Sequence, residues 1–255
     1  MMIDLSGSVA LITGASRGIG RATALKLSEA GADVIVNYVT SQSAANEVAR
    51  EIQQQGRRAA TVKADVSEPD DVAAMLEFVR ERFGRLDILV SNAASGGFRQ
   101  LMDASPRHFE NAMNTNVRAL LLLTQAALPL LERAEGRAKV IAISSHGSHK
   151  ALPAYGLIGA SKAALESLVR HLALELGNRG VNVNAVLAGL VETDSTRGLP
   201  NSGEFFRAVN DRRMVGGRPL LARDVADSVL FLASSLSDLL QGATLVVDGG
   251  EGITG

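Results

Sequence analysis

Val9-Ala10-Leu11-Ile12-Thr13-Gly14-Ala15-Ser16-Arg17-Gly18-Ile19-Gly20 decides how the rest of the chain is read. The opening apolar run shows no polar alternation, which predicts a strand covered on both faces. From residue 18 to 30 the spacing turns helical, with Ile19, Ala22, Leu25 and Leu27 on the apolar side and Gly31 as a stop. Between strand and helix stand three glycines in the order glycine-x3-glycine-x-glycine. Gly14 permits the turn, Gly18 lets a diphosphate approach the backbone, and Gly20 lets helix and strand pack closely. The helix start then offers free N–H groups and a positive dipole end to phosphates. The spacing is not the usual dinucleotide fingerprint, and such turns also close βα units that hold no ligand. Its place after the first strand is what points to a nucleotide.

Working outward, the alternation repeats. Strand-like runs fall at 33–37, 59–64, 86–91, 138–143, 181–186 and 244–247, and helical spacing at 41–55, 69–83, 107–133, 155–177 and 224–234. This pattern predicts an α/β fold: one doubly wound, Rossmann-like domain over 1–255, with a parallel sheet of about seven strands and helices on both faces. No linker or repeat divides the chain. The least periodic stretch, 189–222, carries Gly198, Pro200, Gly203, Gly216, Gly217 and Pro219, and reads as a substrate-binding loop or lid.

Composition excludes several classes. The chain has 255 residues, with 26 Lys and Arg against 27 Asp and Glu, so no polyanion-binding surface is implied and no nucleic-acid partner is expected. It has no cysteine, which removes disulfides and thiolate metal sites. His146 and His149 lack a metal-ligand spacing, read as loop residues, and no metal is expected. The first residues do not form a signal peptide and no apolar run is long enough to span a bilayer. A cytoplasmic protein with no membrane partner is the expectation.

Two further signals bear on chemistry. An NAD enzyme usually places an acid at the end of the second strand to bind the ribose 2′-hydroxyl. Here Val34-Ile35-Val36 runs into Asn37-Tyr38, with no acid, and Arg17 in the glycine turn could meet a 2′-phosphate. Both favour NADPH. In Tyr155-Gly156-Leu157-Ile158-Gly159-Ala160-Ser161-Lys162 the two ends are seven residues apart. At 3.6 residues per turn they share a helix face, about 10 Å apart along the axis. A phenol there can donate to a developing oxyanion, and a nearby ammonium would lower its pKa and hold ribose hydroxyls.

The ordered set Thr13 to Gly20, Asp65-Val66, Ser91-Asn92-Ala93-Ala94, Asn116, Ser144-Ser145, Tyr155/Lys162, Asn184 to Gly189, Thr193 and Val247-Asp248-Gly249-Gly250 resembles the short-chain dehydrogenase/reductase superfamily over almost the whole chain. The resemblance implies a nicotinamide dinucleotide cradled by Gly14, Ser16, Arg17, Gly18, Ile19, Gly20 and Asn37. It further implies adenine held by Asp65 and Val66, the adenosine ribose by Asn92 and Ala93, and the nicotinamide ribose by Lys162. Gly189, Val191 and Thr193 would meet the carboxamide end. Asn116 would support the lysine, and Ser145 would touch the substrate oxygen or only shape the pocket.

The departures are informative. Ketone-reducing members carry Tyr-x3-Lys, whereas here Ile158 stands four before Lys162. Tyr-x6-Lys is similar to the enoyl-acyl-carrier-protein reductases, and the glycine turn together with Ser91-Asn92-Ala93-Ala94-Ser95-Gly96 is similar to their third, NADPH-using class. Ala94 and Ala188 replace a usual Gly and Pro. The first class has a second tyrosine where Ser145 stands. This resemblance implies NADPH-dependent reduction of an enoyl thioester, carried by acyl carrier protein, in a homotetramer, with Leu190, Val191, Leu199, Phe205, Phe206 and Met214 offering an apolar slot. A carbonyl reductase such as a 3-oxoacyl enzyme, and a non-catalytic nucleotide-binding regulator, remain as alternatives. Chain length and the choice between carrier protein and coenzyme A stay open.

Overall fold

The computed structural model describes residues 3–253 other than 195, 199–201, 213, 216 and 217, with the main chain alone at 205 and 212. Seven strands form one parallel sheet: β1 Val9–Ile12, β2 Asp33–Tyr38, β3 Ala59–Lys63, β4 Ile88–Ser91, β5 Ala138–Ser145, β6 Val181–Ala188 and β7 Thr244–Val247. Their order is β3-β2-β1-β4-β5-β6-β7. The direction of winding reverses between β1 and β4, which opens a crevice at the carboxyl ends of these two strands.

Helices cover both faces. On one side lie α1 Gly18–Glu29, α2 Gln42–Gln54 and, late in the chain, α8 Ala222–Ala233; on the other lie α3 Pro69–Phe83, α5 Ala119–Leu131 and α6 Gly156–Leu176. The period of two along β1 serves both layers. Val9 and Leu11 join the core of α3, α5 and α6, with Met75, Leu123 and Leu165, while Ala10 and Ile12 join Leu27, Val48, Ile52 and Val229. A strand apolar at every position is therefore needed here.

Two elements differ from the sequence expectation. The helix expected over 107–133 is broken: α4 Pro106–Met113 leads into a π-helical turn, Asn114–Arg118, before α5 begins. Such turns insert one residue into the ladder and reorient its neighbours; this one contains Asn116. The 189–222 stretch is not irregular throughout, since it carries α7, Ser202–Arg212. That helix buries Val209. Leu199, Pro200, Gly216, Gly217 and the side chain of Phe205 lie outside the described residues. No helix among the described residues is long and apolar enough to cross a membrane.

Candidate active site

The glycine turn is held by side chains from three strands. Gly14 and Gly18 have φ of 62° and 58°, the left-handed region that a side chain disfavours. A side-chain carbon on Gly20 would overlap the carbonyl oxygen of Gly14. Thr13 Oγ1 accepts from the N–H groups of Asn92 and Ala93 at 2.9 and 3.0 Å, and Asn92 Nδ2 donates back to Thr13 O at 2.8 Å. The ends of β1 and β4 are thus locked together at the reversal point.

Asn37 has a different role from the one expected. Its side chain is buried, accepts from the N–H of Gly14 at 3.1 Å and donates to Ala64 O at 2.9 Å. It does not line the cleft; Tyr38, Val39, Thr40 and Ser41 do. Asn37 fixes the turn that would hold the cofactor and is not a contact to it. Its amide both donates and accepts, which a carboxylate could not do.

The cleft encloses about 530 Å³. Gly14, Ser16, Arg17, Gly18, Ile19 and Gly20 line one end with Asp65, Val66, Asn92 and Ala93; Ser145, Tyr155, Lys162, Gly189, Val191 and Thr193 line the other. Asp65 also accepts from the N–H and Oγ of Ser67, ordering the turn after β3. Asn116 lies outside the lining. Its side chain spans Ser95, at 2.8 Å from N and 2.9 Å to O, and Ser161 Oγ at 2.8 Å, so it ties α6, the helix that bears Lys162, to the loop after β4. Of the expected apolar slot, Leu190 and Val191 line the cleft, Met214 is exposed, and Val209 of α7 is an addition.

Tyr155 is the residue just before α6, and Tyr155 Oη lies 2.9 Å from Ser145 Oγ. Gly147 and Gly159 make this possible. A side-chain carbon on Gly147 would lie 2.5 Å from the Tyr155 ring, and one on Gly159 would lie 2.6 Å from Gly147 O. Phe98 stacks on the same ring, with centroids 6.0 Å apart. Ala154 is held at φ 57°, a conformation costing about 1 kcal/mol without glycine, and its carbonyl accepts from Arg99 N at 2.8 Å. Ile158, at the position the ketone-reducing spacing would give to tyrosine, is buried against Gly96 and absent from the cleft lining.

A sequence profile of the family described as enoyl-(acyl carrier protein) reductase matches residues 14–251. A 1-cyclohexenylcarbonyl-CoA reductase of Streptomyces collinus is 39% identical over 96% of this chain and 87% of its own. A versicolorin reductase of Emericella nidulans is 37% identical over 96% of each chain. The crystal structure of a short-chain dehydrogenase from Burkholderia cenocepacia in complex with NADP superposes with a TM-score of 0.88, at 36% identity, over 97% of this chain and 98% of that one. The chain belongs to the short-chain dehydrogenase/reductase superfamily. It is an oxidoreductase, and the glycine cradle fits the dinucleotide such enzymes use.

Within this reductase fold the charges at the catalytic end are set by burial. Burial pushes the Tyr155 phenol up, against the opposing hydrogen bond from Ser145. The expectation that the ammonium would lower it is therefore corrected: burial outweighs it and favours the protonated phenol. Lys162 donates to Ile143 O at 2.6 Å, and burial lowers its pKa to about 8, with the charge of Glu166 opposing. Glu166 is itself buried. It accepts from Ser144 Oγ and lies 2.8 Å from His149 Nε2. His146 Nε2 lies 2.8 Å from the Asp248 carboxylate, which also accepts from the N–H groups of Gly250 and Gly252. Burial alone would raise Asp248, but those donors hold it below the ordinary carboxylate range. His146 and His149 thus lie in the turn after β5, as expected, and each is tied there to a carboxylate. No His, Asp or Glu cluster able to hold a metal occurs among the described residues.

Glu166 was missed by the motif reading, although its spacing of four from Lys162 on one helix face could have flagged it. The His146–Asp248 tie joins residues with no local signal.

Two tests follow from this geometry. Gly147→Ala should displace the Tyr155 ring and lower turnover by about 10²-fold, the scale of losing one oxyanion donor, while dinucleotide affinity, measured by fluorescence titration, stays near wild type. Separately, kcat/KM should fall as pH rises through about 8, where buried Lys162 loses its proton. Glu166→Gln removes the opposing charge and should move that limb to lower pH. Lys162→Arg, charged at every accessible pH, should abolish the limb even if its rate is low. A limb unchanged in Lys162→Arg would assign it to another group.

Proposed function

We propose that this reductase uses NADPH to reduce the carbon–carbon double bond of an enoyl thioester. The observation that carries the reading is the substitution of roles between two positions: Tyr155 faces the cleft with its hydroxyl at Ser145, while Ile158 is packed away beneath Gly96. In a ketone the carbon that accepts hydride bears the oxygen. In an enoyl thioester the oxygen is two carbons further along, so its hydrogen-bond donor must stand further from the hydride. A tyrosine moved back by a helical turn suits the second case.

When bound, the dinucleotide would supply the hydride to the β-carbon, the double-bond electron pair would move toward the thioester oxygen, and the α-carbon would then take a proton from solvent. Tyr155 donates to the thioester oxygen as negative charge develops there, and Ser145 offers a second hydroxyl to the same oxygen. Lys162, held by Ile143 O, keeps a positive charge beneath them. Leu152, Pro153, Leu190, Val191 and Val209 surround the reacting end with apolar atoms, which strengthens both donors by excluding water. The similarity to a CoA-thioester reductase supports this reading. The exposed Phe109 and Leu174 on α4 and α6 are consistent with the homotetramer expected of the resemblance.

NADPH is preferred over NADH on two grounds. No carboxylate ends β2, and Arg17 is a half-exposed cation at the cleft mouth, only loosely paired with Asp194 at 4.0 Å. Arg17→Ala should raise the KM for NADPH more than that for NADH; equal effects in steady-state assays would remove Arg17 from 2′-phosphate recognition.

A second reading, carbonyl reduction, is favoured by the same 2.9 Å Ser145–Tyr155 contact, since paired hydroxyls also polarise a ketone. Crotonyl and acetoacetyl thioesters assayed side by side separate the two. Enoyl turnover should dominate, and Tyr155→Phe should lower it about 10²-fold or more, because a lost oxyanion donor costs roughly 2.7–4 kcal/mol. Tyr155→Phe with Ile158→Tyr should not recover enoyl reduction. A wild type that prefers the ketone and keeps that rate in Tyr155→Phe would overturn the proposal.

A further inference from the structure

A second cavity adjoins the catalytic cleft and shares Leu152, Pro153 and Tyr155 with it. It is an open slot of about 620 Å³, within the range of ligand pockets. Gly156, Gly159 and Ala160 of the first turns of α6 line it, with Leu101 packed over Gly156 and Gly147 O over Gly159. The segments 99–102 and 149–154 complete the lining, and the slot meets the catalytic cleft at Leu152, Pro153 and Tyr155.

Arg99 and Lys150 bring positive charge to the slot, His149 lines it beside them, and no carboxylate lines it among the described residues. Composition does not account for this, because the chain carries 27 acids against 26 Lys and Arg. His149 is matched by Glu166 behind the wall. Arg99 and Lys150 have no acidic partner among the described residues. Arg99 Nε is buried and has no hydrogen-bond acceptor. A buried guanidinium N–H without a partner is costly, and it marks a place where an acceptor from outside would be welcome. The main chain of Arg99 is anchored by its N–H to Ala154 O, 2.8 Å, so the cation is placed by the same strained residue that precedes Tyr155. The amino end of the long helix α6 adds its positive dipole end to the same region.

We propose that this slot receives the phosphopantetheine arm of the thioester substrate, with Arg99 and Lys150 binding its phosphate. The assignment rests on the enoyl-thioester reading above. It extends that reading from the acyl group to the carrier. The acyl end lies in the apolar cleft, the thioester oxygen meets Tyr155 and Ser145, and the arm leaves between the 99–102 and 149–154 walls. Arginine suits a phosphate because its planar fork can donate two parallel hydrogen bonds, and lysine adds a point charge. The phosphate is common to coenzyme A and acyl carrier protein, so the slot is suited to both carriers.

The test compares wild type, Arg99→Ala, Lys150→Ala, the double variant and Arg99→Lys on four crotonyl thioesters. These are the coenzyme A ester, the ester of holo-acyl carrier protein, the phosphate-free pantetheine ester and the N-acetylcysteamine ester. For the alanine variants KM should rise about tenfold or more with both phosphate-bearing carriers, the scale of one charge-assisted hydrogen bond. KM should be unchanged with the two phosphate-free esters, kcat should be unchanged throughout, and Arg99→Lys should retain most of the affinity. Unchanged NADPH binding confirms that the variants are folded. An equal rise with all four esters would mean that the residues only shape the slot, and would overturn the phosphate assignment. So would no rise with any ester. A rise confined to the coenzyme A ester would place the contact on its nucleotide phosphates and equally overturn it. If wild type reduces none of the esters, the enoyl reading itself fails, and the slot is then read by calorimetry with 4′-phosphopantetheine. Binding lost in the double variant supports the slot; binding unaffected by it, or absent from wild type, overturns it.

Discussion

Gly147 and Gly159 meet backbone to backbone, and the catalytic end of the molecule depends on that meeting. It brings the turn after β5 against the first turns of α6 closely enough for the Tyr155 ring to lie across Gly147. Ser145 belongs to the strand and Tyr155 to the helix entry, so the 2.9 Å between their hydroxyls measures how well sheet and helix are docked. Ser144–Glu166 braces the same junction from within the core, and Asn116 ties the same helix to the loop after β4. The fold keeps a hydroxyl at the serine while freeing position 158 for packing.

The electrostatics at this junction act in opposite directions on two neighbouring groups and suit both to one task. Burial discourages charge on either. It keeps the phenol protonated and loosens the proton on the lysine. Glu166, inaccessible to solvent yet tied to exposed His149, opposes the second effect. The phenol is thus held neutral, while the charge on the lysine is opposed by burial and favoured by a carboxylate that is not among the cleft's lining residues.

Much of the fold was legible because buried parallel strands are apolar at every position, and Val9 to Ile12 or Val34 to Val36 cannot be mistaken for amphipathic elements. The glycine turn and the Tyr155/Lys162 pair were legible because steric and chemical demands there admit few residue types. Other features carried no local signal. The π-helical turn at Asn114–Arg118 leaves the apolar spacing nearly intact. Helix α7 contains Gly203 and polar residues that read as loop, and it is held by burial of Val209 in the cleft. Asn37 was noticed for the acid it is not, whereas its amide has a positive duty to Gly14 and Ala64. Asn116, expected to support the lysine, reaches the helix that bears it through Ser161.

The tie between His146 and Asp248 spans 102 residues and fastens the turn beside Ser145 to the segment that follows the last strand. Contacts of such long range form late, after the entropy of closing the intervening loop has been met. A chain folded only as far as β6 would already possess its serine, tyrosine and lysine, yet the turn carrying the serine would lack its outer anchor. Chemical competence is therefore withheld from partly folded states, and the final strand acts as the clasp that closes the site.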